Sequence, residues 1–390
     1  MSRVAVPLGE LMQAKKRSVD PRKHPDEEFE LFSIPAFDAG ASETVCGSDV
    51  GSSKQVLERH DVLLSKIVPH IRRSWVVEPS SECRMIGSSE WIVFRSDRFE
   101  PKYLRHVLIS DHFHQAFMQT VAGVGGSLLR ARPTHVAEIE IPLPQIEEQR
   151  RIAAVLDAAE ALRAKRRQAL AKLDELPRAV FHEMFGDPVR NERGWPLHTL
   201  RDVCLKIQIG PFGSLLHKSD YVEGGIPLVN PMHIVGGTIQ PHREQTISLQ
   251  KYAQLKVYCM EVGDVVMGRR GEMGRVAIVS ECEAGFLCGS GSLYMRPDPG
   301  SVTSPYMAAA LSSARGRRHL ENSAQGVTML NLNSEIVGGF ELGLPPIELQ
   351  REFSAALMAK GELKARLHDH ATALDTLFAS LQQRAFRGEL

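Results

Sequence analysis

The sequence predicts an α+β protein made of two mixed α/β domains separated by two long antiparallel helices that form a coiled coil, the whole chain being an internal pseudo-repeat. Three observations predict it. The run IPLPQIEEQRRIAAVLDAAEALRAKRR (Ile141–Arg167) returns as LGLPPIELQREFSAALMAKGELKARLH (Leu342–His368). Leu143, Pro144, Ile146, Gln149, Leu162, Leu173, Leu176 and Phe185 each meet an identical residue 201 positions later. Both copies carry apolar residues at alternating steps of three and four, the signature of a helix that packs along a seam. A repeat of this length at constant offset is the mark of internal duplication.

Each long helix has start and stop signals. Pro144 and the Pro345-Pro346 pair stand where a helix begins. Glu147 and Glu148 fall in the first turn, where a carboxylate suits the helix dipole. Gly186 and Pro188 end the first copy after Phe185. Pro177 should kink or break it, and Gly361 weakens the second copy by about 1 kcal/mol relative to alanine. The predicted seam is Ile152, Val155, Ala159, Leu162, Arg166, Ala169, Leu173, Leu176 and Val180, answered by Phe353, Ala356, Lys360, Leu363, Leu367, His370, Leu374, Leu377 and Leu381. The residues expected to pair the helices are Ile152, Val155, Leu162, Leu173, Leu176, Phe353, Leu363, Leu367, Leu374, Leu377 and Leu381. The alternative is two separate helices, each packed on its own domain. Arg166, Lys360 and His370 interrupt the seam and either set register or mark its wet ends.

Upstream of each helix the pattern is looser. HDVLLSKIVPHIRRSWVV (His60–Val77) resembles GDVVMGRRGEMGRVAIV (Gly263–Val279), and both read as strands around a turn. EWIVFRSD and SLYMRPD read as further strands, YLRHVLIS and YMAAALSS as short helices. Alternating Ile139-Ile141-Leu143 and Phe340-Leu342-Leu344 close each domain with a strand. The expected boundaries are 1–143, 144–186 (helix), 187–344 and 345–390 (helix).

Composition narrows the function. The chain has 390 residues, 43% hydrophobic and 24% charged, which suits about two globular domains. Lys+Arg and Asp+Glu both total 47, so any nucleic-acid binding must rest on local patches. Six scattered cysteines form no CxxC, and neither zinc nor a disulfide framework is expected. MSRVAVPLGELMQAKK lacks a secretory core, and no apolar run is long enough to span a membrane, which suggests a soluble, cytoplasmic protein. Catalytic signatures are missing. Asn230-Pro231-Met232-His233 lacks the second proline and the aromatic of an amino-methyltransferase loop. There is no GxxxxGK[ST] phosphate cradle. His112-Phe113-His114 has the spacing of a possible metal pair but reads as a surface-helix histidine pair.

The run at 141–188, I-P-L-P-x-x-E-Q-R-R-I-A-A-V-L-D…L-R-A-K-R-R…F-x-x-M-F-G-D-P, resembles the conserved central region of type I restriction–modification specificity subunits. IGPFGSLL (Ile209–Leu216), followed by YVEGGIPLVNPMHI (Tyr221–Ile234), resembles the opening of a target-recognition domain, and LPPIELQREF…FASLQQRAFRGEL resembles the C-terminal conserved region. The first domain has no GPFGS equivalent. The resemblance implies that each α/β domain is a target-recognition domain reading one half of a bipartite, asymmetric site on duplex DNA. The helices would set the spacer and dock two methyltransferase (modification) subunits, with restriction/translocase subunits joining them. Catalysis, S-adenosylmethionine, ATP and Mg²⁺ would then belong to those partners, with no cofactor or metal on this chain and no membrane contact. The rival reading is a coiled-coil scaffold with two protein-binding heads.

Phosphate contacts need Lys or Arg, and base edges need forked side chains. Lys66, Arg72 and Arg73 form one basic patch. Arg269, Arg270 and Arg275 stand at the matching place in the other half, among glycines that let backbone approach a phosphate. Arg315 and Arg317 belong to SSARGRRHL, Ser214 and Lys218 to the GPFGS turn, Arg130 and Arg132 to GVGGSLLRAR, and Thr328, Asn331 and Asn333 to GVTMLNLN. These are the candidate DNA-binding residues. Solvated loop charge is the alternative for each.

Overall fold

In a computed structural model, residues 4–15, 17–122, 129–271, 273–324 and 331–390 are described. The chain divides into two compact units, Met1–Arg167 with Asp369–Leu390, and Gln168–His368. Among the described residues no helix is long and apolar enough to cross a membrane.

The first unit holds a five-stranded sheet in the order Ser18–Val19, Lys54–Val56, Arg84–Gly87, Glu28–Phe32, Glu43–Cys46. A three-stranded sheet, Ser74–Val76, Val62–Ser65, Trp91–Phe94, is antiparallel throughout. Leu63, Val93 and Trp91 turn to a core with Phe32 and Leu57, while Val62, Leu64, Ile92 and Phe94 turn to the other face. This is the period-two division of a strand buried on both sides. On that other face lie the helices Pro101–Leu108 and Asp111–Gln119 and the start of the first long helix, through Ile152, Leu156 and Ala159.

The second unit repeats the plan. The strands Val265–Gly268, Val276–Ile278 and Ser292–Pro297 pair as Val62–Ser65, Ser74–Val76 and Trp91–Phe94 do, and Cys204–Ile209 adds a fourth strand. Helices Ser304–Ser312 and Ala314–Ser323 follow. A second four-stranded sheet combines Tyr221–Val222, Thr246–Ile247, Ile226–Val229 and Leu287–Cys288. Each unit also has a closing two-stranded ribbon, Val4–Pro7 with Glu140–Leu143 and Leu197–Thr199 with Glu341–Gly343. The expected closing strands are therefore present in both halves.

The repeat extends to individual hydrogen bonds. Arg95 grips Asp61 at 2.6 Å and Glu58 at 2.6 Å, while Arg296 grips Asp264 at 2.8 Å and Glu261 at 2.7 Å. Buried Gln149 accepts from the Glu100 N–H and donates to the Arg98 and Pro144 carbonyls. Its counterpart Gln350 accepts from the Thr303 N–H and donates to the Ser301 and Pro345 carbonyls. The Tyr103 and Tyr306 hydroxyls donate to the Pro142 and Gly343 carbonyls. These bonds tie the start of each long helix to its own α/β head.

The long helices run Ile146–Phe185, 40 residues, and Ile347–Arg387, 41 residues. The first is unbroken at Pro177. It ends where expected, with Gly186 in the left-handed region (φ 71°) donating to the His182 carbonyl. The two helices pair antiparallel inside each unit. In the first unit Arg163 reaches Asp375 at 2.5 Å and its guanidinium lies 4.3 Å from the centre of the Phe378 ring. In the second unit Lys364 binds Asp174, and Phe353 meets the rings of Phe181 and Phe185 at 5.6 and 5.4 Å.

The predicted seam needs a correction of phase. Ile152, Ala159, Phe353, Leu367, Leu374 and Leu381 lie on the covered stripe. Between them the covered positions fall one residue later than predicted, at Leu156, Arg163, Leu170 and Pro177, and at Leu357, Lys364, Ala371 and Phe378. Leu162 (55% exposed), Leu176 (42%), Leu363 (39%) and Leu377 (49%) face solvent, and Val155 and Ala169 are half-buried. Val155 and Leu156, Ala169 and Leu170, and Leu377 and Phe378 offer apolar residues to either phase, and only packing selects one. Of the polar interruptions, Lys360 lies 4.0 Å from Asp174, His370 is exposed and Arg166 is half-buried.

The heads differ where the helices meet them. In the first unit Arg105 holds Glu160 at 2.7 and 3.1 Å, and buried His106 meets Asp157 at 2.7 Å. The matching positions in the second unit are Ala308, Ala309, Met358 and Gly361. Three of these, Ala308, Ala309 and Gly361, line a groove of about 840 Å³.

Candidate nucleic-acid interface

The loop between Val62–Ser65 and Ser74–Val76 in the first head and the loop between Val265–Gly268 and Val276–Ile278 in the second share one framework. Lys66 N–H donates to the Glu90 carbonyl at 3.0 Å, and Arg269 N–H donates to the Gly291 carbonyl at 3.0 Å. Ala131 N–H donates to the Lys66 carbonyl, and Leu332 N–H to the Arg269 carbonyl. Isolated bridges join Ile67 to Arg130 and Arg270 to Asn331. Lys66 thus corresponds to Arg269, Glu90 to Gly291 and Arg130 to Asn331. Even the unusual backbone recurs. Val68 has φ 46° and Gly271, at the same place, has φ 68°.

In the first unit the candidate cations are engaged by carboxylates. Lys66 donates to the Ser89 carbonyl at 2.8 Å and lies 3.8 Å from Glu90. Arg130 reaches the same Glu90 at 3.2 Å. Arg72 pairs with Asp111 at 2.6 Å and donates to the Ile109 carbonyl. Arg73 is a correction to the expectation of an open basic patch. It is 8% exposed and holds Asp38 in a two-pronged bond of 2.7 and 2.8 Å, and this guanidinium keeps the Asp38 carboxyl below its ordinary range. It sits one residue before the strand Ser74–Val76, and its bond to Asp38 buttresses the loop. Arg132 is exposed, at the start of the short helix Pro133–Val136.

In the second unit Arg269 is also buried, at 4% exposure. It bonds neutral groups, namely the Ser290 carbonyl at 3.0 Å, Asn331 Oδ1 at 2.8 Å and the Leu332 carbonyl at 3.4 Å. Burial and neighbouring Arg270 press its guanidinium below its ordinary value. Arg270 is exposed, and Arg275 donates to the Pro231 carbonyl. Exposed Arg317 lays its side chain across Gly274, whereas Arg315 pairs with Asp187 at 2.7 Å. Asn333 caps the helix Ser334–Gly338 by accepting from the Ile336 N–H at 2.7 Å, which accounts for its residue type without a ligand. Thr328 lies outside the described residues, as do residues 123–128.

The GPFGS turn exposes Phe212 (61%), Ser214 and Lys218. Gly210 is required there, because a Cβ would stand 2.0 Å from the Gly289 carbonyl oxygen. The sequence reading did not find Glu90, Asp111 and Asp38, the acids that answer the first patch. They lie 24, 39 and 35 residues from their partners Lys66, Arg72 and Arg73, beyond the reach of any local pattern.

Among the described residues, one cluster has metal-ligand chemistry, His106, Asp157 and Glu160, with ligand atoms within 4.8 Å of one another. Its acids are engaged by Arg105 and by Lys102, 3.4 Å from Asp157. Cations of the chain therefore already balance it.

No protein-family model matches the chain. Its fold is that of the S subunits of type I restriction–modification systems. A chain solved in work on complex assembly and conformational transition of the type I R-M system aligns over 99% of this chain and 98% of its own, with TM-score 0.67 and 21% identity. The S subunit from M. genitalium aligns over 99% and 96%, with TM-score 0.54 and 14% identity. The HsdS subunit from Thermoanaerobacter tengcongensis aligns over 99% and 97%, with TM-score 0.50 and 24% identity.

Proposed function

We propose that this chain is the DNA sequence-specificity subunit of a type I restriction–modification complex. The observation that carries the reading is the pair of cation-bearing loops, alike in backbone bonding and unlike in side chains, each in a head that packs on the start of its own long helix. One framework with two different reading surfaces suits a split site whose halves differ in sequence. Each head reads one half through base edges and phosphates. The long helices set the spacer between the halves and dock two modification subunits, which a restriction/translocase subunit joins. The chain itself is non-catalytic. S-adenosylmethionine, ATP and Mg²⁺ act on the partners, and the complex works in the cytoplasm.

Genome-wide mapping of methylated adenines with and without the gene tests this. Loss of one bipartite motif on deletion is the expected result. If every bipartite motif stays modified, the assignment fails and a protein-binding scaffold becomes the better reading.

A further inference from the structure

We propose that the two heads hold DNA with unequal charge. The second head supplies the phosphate grip through Arg270 and Arg317, backed by Arg269, while carboxylates of the first head neutralise its own cations. The inference rests on the DNA-reading function proposed above and adds a division of labour to it.

Matched positions in the two heads differ in charge. Lys66 and Arg130 share Glu90, and the residue equivalent to Glu90 is Gly291. Arg72 is held by Asp111, which follows the cap Ser110, and the residue after the equivalent cap Ser313 is Ala314. Arg73 is held by Asp38. Four of the first head's five candidate cations therefore meet a carboxylate, and two of the three acids involved are replaced by Gly and Ala in the second head. Among the described residues, no carboxylate pairs with Arg269, Arg270 or Arg317.

A carboxylate already bound to a cation cancels the field that a phosphate would feel and repels it at close range. Unpaired guanidiniums keep that field and can grip phosphate oxygens in two-pronged fashion. The backbone agrees. Gly271 has open space where a side chain would stand, so a phosphate can approach the loop; in the first head Val68 occupies that point.

The test is fluorescence anisotropy of the purified full-length chain on a duplex carrying the mapped half-sites, titrated between 50 and 200 mM salt. Each phosphate contact contributes about 0.9 to the slope of log affinity against log salt, or roughly an eightfold change in affinity at 0.1 M. R270Q/R317Q should flatten the slope by about two and weaken binding roughly 60-fold. R72Q/R130Q should change affinity by less than about threefold, and E90Q should tighten binding and steepen the slope. Both double variants alter exposed side chains, and thermal melting checks that they remain folded. Equal losses from the two double variants, or weaker binding by E90Q, overturn the unequal grip while leaving the DNA function intact. Absence of wild-type binding at 50 mM salt, together with methylation unchanged on gene deletion, overturns the function itself and the inference with it.

Discussion

Val68 and Gly271 show how much one backbone angle governs. Both hold φ in the left-handed region at the same point of the loop framework, yet only glycine does so without steric conflict. Gly271→Val has free space for its side chain, so its cost is backbone strain alone. We expect about 1–2 kcal/mol of lost stability, read as a lower Tm, and less than half of that for Gly271→Asn, because Asn tolerates this region. Equal losses for Val and Asn would mean that something other than strain acts there.

His106 makes a second prediction at this scale. Burial lowers its pKa from the ordinary value, against the opposing pull of Asp157. Arg105 also opposes protonation, Glu160 favours it, Lys102 faces Asp157, and the Phe378 ring lies 6.3 Å away. The folded chain therefore binds this proton less readily than the unfolded chain, and the linkage makes stability fall as pH drops below the unfolded value near 6.5. Tm measured at pH 7.5 and 5.5 should drop more for wild type than for His106→Gln. An identical drop in both would remove His106 from the acid response.

The paired helices show which apolar positions matter. Leu156 is fully buried, whereas Leu162 is 55% exposed. Leu156→Ala should cost about 2–4 kcal/mol and Leu162→Ala less than about 0.5 kcal/mol, measured by denaturant or thermal unfolding. The reverse order would restore the seam phase first read from the sequence. Periodicity announced that two long helices exist, where they start and where they stop. It did not choose between Val155 and Leu156, or between Leu377 and Phe378, since each pair offers apolar residues one step apart. That choice follows from which side each helix turns to its own head. The acids that silence the first basic patch were hidden for a related reason, because an ion pair between distant residues leaves no spacing signal.

Two engineered chains address the molecule as a whole, under the proposed function. Inserting one heptad into both long helices should lengthen the unread gap between half-sites, as read by mapping methylated adenines. An unchanged gap would argue against the helices as a ruler. Exchanging residues 1–140 for those of a subunit with different specificity should alter one half of the motif and leave the other half as it was. Changes in both halves would deny that the heads read independently.

Much of this architecture follows from local rules that act along the chain. A constant offset reveals duplication, spacing of three and four residues reveals helices, alternation reveals strands, and Pro and Gly mark their ends. Folding decided the rest. It set the phase of the helix seam, buried Arg73 and Arg269, turned Asn333 into a helix cap and delivered Glu90, Asp111 and Asp38 to cations far away in sequence. Charge in a sequence is only a count. Whether a cation is free to meet a phosphate depends on which acid the fold brings within about 4 Å of it, and that distance exists only in three dimensions.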